Sequence, residues 1–151
     1  MLKTAYLAAI WTYTTAALPI LMASSPVSLS TLLWSAWLAN RFLFIYAVCL
    51  WFDYRDRPDD GQSRWLTIVS MLTEPQIDRF FGSIVLLFSA ATVAFYVGGV
   101  GGWVVICISL PMLLLILTAR WVTKRLSDYW YYVYLDGLVM LTGLLLPILP
   151  V

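Results

Sequence analysis

The chain has 151 residues, of which 62% are hydrophobic and 11% charged, with a net charge of +1 and a mean hydropathy of +0.87. A soluble domain of ordinary composition carries about 25% charged residues, so this deficit points to an integral membrane protein. The small net charge without an extended basic patch excludes a nucleic-acid binder, and the absence of His removes His-based acid–base chemistry, His-containing triads and the commonest transition-metal ligand.

A helix needs about 20 mostly apolar residues to cross a bilayer, and by that measure the chain is expected to fold as an all-α polytopic membrane protein with about five transmembrane helices. The first span covers residues 4–22, with Pro19 near its end. It is long enough to cross and contains Trp11 and Tyr13, so it does not read as a cleaved signal. Residues 23–30 (ASSPVSLS) make a short uncharged connection to a second span at residues 31–52, interrupted by Asn40 and Arg41. The stretch Asp53-Tyr54-Arg55-Asp56-Arg57-Pro58-Asp59-Asp60 follows directly.

Residues 61–79 are too polar to span. Trp65, Ile68, Val69 and Leu72 recur there at helical spacing, fitting an apolar face laid on the membrane surface or capping the bundle, before Glu74-Pro75 breaks the segment. A third span at residues 80–97 leads through Gly98-Gly99-Val100-Gly101-Gly102, a tight hairpin, into a fourth at 103–119, which Pro111 is expected to kink. Residues 120–128 form a basic connection, and the last span covers residues 129–149. It opens with Tyr129-Trp130-Tyr131-Tyr132-Val133-Tyr134. An interfacial aromatic belt accounts for this cluster. The functional alternative is a set of π-faces, Tyr132 among them, lining a cavity for an apolar chain and stabilising a developing carbocation.

In this arrangement Lys3, Arg55, Arg57, Arg64, Arg79, Arg120, Lys124 and Arg125 map to one side, which the positive-inside rule makes cytoplasmic. The acidic stretch faces the same side. Cys49 and Cys107 lie in separate apolar runs without metal-ligand spacing and read as small hydrophobes. Arg41 and Asp136 fall inside spans, where an ionisable residue costs roughly 2.5–3.5 kcal/mol, so each requires a partner. Their depths, roughly 18 Å from Asp53 and roughly 12 Å from Asp128, suit a buried interhelical pair, with a direct substrate role as the alternative.

The acidic stretch places four carboxylates within eight residues at the end of an apolar run. Such a cluster repels itself, and hydrocarbon does not solvate it. Asp53, Asp56 and Asp60 stand at i, i+3 and i+7 and share one helical face. Magnesium takes oxygen ligands and is held by one or two carboxylates plus substrate phosphates, so a diphosphate is the natural second partner. The alternative is a solvated turn in which Arg55 and Arg57 neutralise the acids. Pro58 lacks an N–H and disfavours helix at Arg57, which is expected to weaken the helix before Asp60.

The form D-x-x-D-x-x-x-D at Asp53, Asp56 and Asp60, preceded by Arg41-Phe42-Leu43-Phe44-Ile45-Tyr46, resembles one of the two aspartate-rich motifs of the UbiA family of intramembrane prenyltransferases. Residues 6–19 (YLAAIWTYTTAALP) resemble the helix opening that family's C-terminal half, and residues 132–137 (YVYLDG) its final helix. Family members are bundles of about nine helices with one acidic motif in each half, and this chain carries one. Phe52 stands where Asn often stands in the first motif, and Gly61 and Arg64 are displaced from the usual Gly and Lys.

The resemblance implies the C-terminal half of a transferase that moves a prenyl group from a prenyl diphosphate to an aromatic or other lipophilic acceptor. It is expected to depend on magnesium and on a separate N-terminal half. The same resemblance makes Asp53, Asp56 and Asp60 catalytic and metal-binding, and Arg64 a diphosphate contact, while Arg41, Asp136 and Tyr132 are candidates for contacting substrate. A non-catalytic membrane scaffold or cation-handling protein is the alternative. A CDP-alcohol phosphotransferase is disfavoured, because Asp136-Gly137 lacks the Ala-Arg that its D-G-x-x-A-R motif requires.

Overall fold

The computed structural model describes residues 2–22, 30–60, 67–125 and 127–145, with the side chains of residue 2 and residues 58–60 left out. Of the described residues 92% are helical and none is in a strand, which establishes the all-α class. The chain divides into two compact units, one ending at Gly98 and the other beginning at Gly99. Among the described residues three helices are long and apolar enough to cross a membrane, within Thr31–Arg57, Glu74–Val97 and Gly102–Arg125, of the five spans expected.

The first unit begins with a helical rod. Helix α1 (Leu2–Thr12) passes into a π-helical turn (Tyr13–Ala17) and then the short α2 (Leu18–Leu21). The Thr12, Thr14 and Thr15 hydroxyls donate to carbonyls one turn back, at Ala8, Ile10 and Trp11. Such back-bonding competes with the main-chain ladder and loosens it. Pro19, in the first turn of α2, removes a further donor. Both effects act where the helix widens, so the Leu18 N–H reaches back to Tyr13 O. Thr4, Ala8, Thr12 and Ala16 are all buried, and this row of small side chains every fourth residue lets the rod approach its neighbour closely. That neighbour is helix α3 (Thr31–Asp60).

Helix α3 is the core of the unit. It packs against α1 on one side and against α5 (Glu74–Val97) on another, and residues 44–51 are buried in an unbroken run. Cross-helix partners fall on α5 as they rise on α3, which makes the two antiparallel: Trp37 with Phe95, Asn40 with Thr92, Trp51 with Phe81, and Arg57 with Glu74. The aromatic pairs meet edge to face at 6.1 and 5.5 Å, a geometry that adds about 0.5–1.5 kcal/mol each beyond simple burial.

Two expectations about this unit change. Pro58 does not end α3, which continues to Asp60. Its last turns are pinned sideways: Arg57 pairs with Glu74 at 2.8 Å and donates to Leu72 O at 2.8 Å, and Tyr54 donates to Glu74 at 3.0 Å. These ties oppose the local bias against helix before a proline. The third span also begins earlier than residue 80. Pro75 occupies the first turn of α5, where no N–H is required, and Thr73 and Gln76 form a capping box that starts the helix at Glu74. Of the amphipathic face expected before it, Ile68 and Val69 stand on the single-turn helix α4 (Ile68–Met71) and Leu72 caps it, with Val69 wholly buried and α4 packed on α3. Trp65 lies outside the described residues.

The second unit pairs α6 (Gly102–Arg125) with α7 (Asp128–Leu145). Helix α6 continues through Pro111 and includes most of the expected basic connection, so Lys124 and Arg125 occupy its last turn, where cations suit the helix dipole. Cys107, Ile108, Met112, Leu115, Ala119 and Val122 are buried on α6, as are Tyr131, Leu135, Leu138 and Thr142 on α7. A hydroxyl contact between Thr118 and Tyr134 ties the two helices. Gly99, ahead of α6, has a φ of 85°, a conformation that glycine adopts without a Cβ penalty.

Candidate functional site

The polar end of α3 carries the candidates Asp53, Asp56 and Asp60. Because α3 is helical through Asp60, Asp53 and Asp56 lie one turn apart on the same side, and the backbone position of Asp60 follows one turn further on. Asp53 is half-buried, and its Oδ2 accepts a 2.6 Å hydrogen bond from the Thr4 hydroxyl of α1. Thr4 is only 6% exposed, so the donor is shielded from water, and the short O–H···O⁻ distance is that of a charge-assisted bond. This bond fixes one carboxylate oxygen of Asp53. Asp56 is also half-buried.

Arg57 and Tyr54 belong to a different arrangement on the same turns. They clamp Glu74 at the start of α5 and thereby hold the end of α3 against the rest of the unit. The acidic stretch therefore separates into two arrangements: Arg57 and Tyr54 secure the helix through Glu74, while Asp53 and Asp56 share another side of it, Asp53 tied to Thr4. The Asp60 side chain and the whole of Arg64 lie outside the described residues. Among the described residues no three His, Cys, Asp or Glu side chains gather in a manner that could hold a metal ion.

Arg41 lies on α3, 12 residues before Asp53 and roughly 18 Å from it along the axis. It is buried, and Asn40 Oδ1 accepts from its Nε at 3.1 Å and its Nη2 at 2.6 Å. The guanidinium also sits over the rings of Trp37 at 5.3 Å and Phe44 at 5.7 Å. Asn40, fully buried, donates in turn to Thr92 of α5 at 2.9 Å. A polar partner for this buried cation is thus present within the same helix.

Asp136 is exposed on α7, and Tyr132, half-buried one turn before it, meets the buried Tyr131 edge to face at 5.8 Å. Both free cysteines are buried and serve as small apolar side chains. The residues that sequence reasoning missed are Thr4, Asn40 and Glu74. Asn40 carried a legible signal, being a polar residue inside an apolar run beside Arg41; Thr4 carried none, since threonines recur throughout the first span.

Comparison of the chain with protein-family models, curated proteins and solved structures finds no match.

Proposed function

We propose that this chain is the C-terminal half of an intramembrane prenyltransferase, with its first rod and α7 completing five crossings and the end of α3 on the cytoplasmic side. The observation that supports this reading most directly is the pair Asp53 and Asp56, one turn apart at the polar end of a long apolar helix, with one Asp53 oxygen held by Thr4. Two neighbouring carboxylates are the protein's usual share of a magnesium site completed by substrate phosphates, so the donor set suits that ion. Asp53, Asp56 and Asp60 would hold it, and Arg64 would contact the diphosphate.

When bound, magnesium supplies positive charge opposite the departing diphosphate. The chain's own contribution is position: Thr4 and the Arg57–Glu74 clamp fix the turns carrying the aspartates before substrate arrives, so little reorganisation remains for the reaction. The bond from the first prenyl carbon to the diphosphate oxygen breaks with its electron pair leaving on oxygen. An electron-rich carbon of the acceptor forms the new bond and releases a proton.

The test is co-expression with a candidate N-terminal half bearing an N-D-x-x-D-x-x-x-D motif, followed by prenyl transfer with and without magnesium. The Asp56→Asn variant should abolish transfer while the protein still accumulates in the membrane. Full activity in that variant would remove the proposed role. Calorimetry showing no divalent-ion uptake by the reunited halves would remove it as well.

A further inference from the structure

A shallow groove of about 310 Å³ opens beside the N-terminal part of α5, lined by Leu72, Gln76, Arg79, Phe80 and Ser83. Gln76 and Arg79 are each anchored by one atom and keep other donors in reserve. Gln76 Oε1 accepts from the Thr73 backbone N and hydroxyl at 2.8 and 3.0 Å, which fixes the amide and leaves Nε2 as its remaining donor. Arg79 Nε donates to Pro75 O at 3.3 Å, its one hydrogen bond among the described residues, and both terminal guanidinium nitrogens remain as further donors on an exposed residue. Ser83 bonds back to Arg79 O at 2.9 Å. The Phe80 wall is set by an edge-to-face contact with Tyr46 of the core at 6.1 Å.

The groove therefore offers donors and one formal positive charge, and Glu74, at the start of its helix, is engaged by Arg57 and Tyr54. Asp78 does not line it. Such a set recognises an anion. Beyond it the helix turns apolar: Leu86 and Leu87 lie seven residues past Arg79 and Phe80, on the same sides of the helix, and are 71% and 57% exposed. Only 17% of this span's apolar window is buried.

An anion at one end and an apolar track leading from it together describe an amphiphile. We propose that the groove binds the headgroup phosphate of an anionic phospholipid through Arg79 and Gln76, with an acyl chain lying along Phe80, Leu86 and Leu87. This inference stands apart from prenyl transfer.

The test is native mass spectrometry of the full chain released from detergent micelles doped with equal amounts of phosphatidylglycerol and phosphatidylcholine. Wild-type protein should retain phosphatidylglycerol selectively. Arg79→Gln should retain about five-fold less, the effect of one basic residue near an anionic headgroup. Gln76→Glu keeps the acceptor that caps α5 but replaces the donor with a negative charge, so it should also lose the lipid while circular dichroism shows full helicity. Lys124→Gln, a charge removed elsewhere, should retain as much as wild type. Equal retention in all variants, or equal retention of the two lipids, overturns the inference. Release of the lipid by inorganic phosphate alone would make the groove a free-anion site and overturn it too.

Discussion

Replacing Thr4 with Val deletes one hydroxyl while conserving shape, so its effect isolates the bond to Asp53. The hydroxyl is buried and the O···O separation is 2.6 Å, which places the bond among charge-assisted ones. Those contribute roughly 1.5–3 kcal/mol. Water competes for the half-buried carboxylate, so the lower end applies, about 1.5 kcal/mol or a little over ten-fold in the folding equilibrium. Reversible unfolding in mixed micelles, followed by the fluorescence of the 8 tryptophans, measures this directly. Thr4→Ser, which keeps the hydroxyl, should stay within about 0.5 kcal/mol of wild type. A double-mutant cycle with Asp53→Ala should give a coupling energy of about 1.5 kcal/mol. Additivity within about 0.3 kcal/mol would refute the reasoning, because it would mean that the two side chains do not share an interaction.

The same cycle applied to Arg57→Gln and Glu74→Gln should give less than about 1 kcal/mol, since these side chains are 32% and 53% exposed and water screens the pair. Repeating it at about 1 M salt should reduce the coupling further, whereas the Thr4–Asp53 coupling should persist. Asn40→Leu removes a fully buried acceptor from beneath Arg41 and should cost about 3 kcal/mol, seen as lost membrane accumulation. Adding Arg41→Met should recover most of that loss, because the cation is removed with its acceptor; a double variant worse than Asn40→Leu alone would show that Arg41 stabilises the unit by other means.

The sequence carries the helical class, three of the apolar spans and the shared face of Asp53 and Asp56 because each depends on local periodicity. Features that depend on a distant partner were invisible. That α3 passes through Pro58 follows from Glu74 and Leu72 in the next segment, which no local propensity reports. The α5 start at Glu74 was missed for another reason. Glu74-Pro75 reads equally as an ending or a beginning, and the Thr73–Gln76 capping box decides between them. Depth along a helix likewise says nothing of the amide one residue away that accepts from Arg41, or of Trp37 and Phe44 over its faces.

The widened turn at Tyr13–Ala17 has a geometric consequence for the first rod. In a regular α-helix a step of four residues overshoots a full revolution by about 40°, so positions 4, 8, 12 and 16 would precess by about 120° and swing off any straight partner. Underwinding at the end of that row takes back part of the precession. The seam with α3 is thereby prolonged toward Ala16, whose carbonyl accepts from Trp37 Nε1 at 3.3 Å. The threonines and the proline that look like flaws in an apolar helix act as the adjustment that keeps two slightly mismatched screws in mesh.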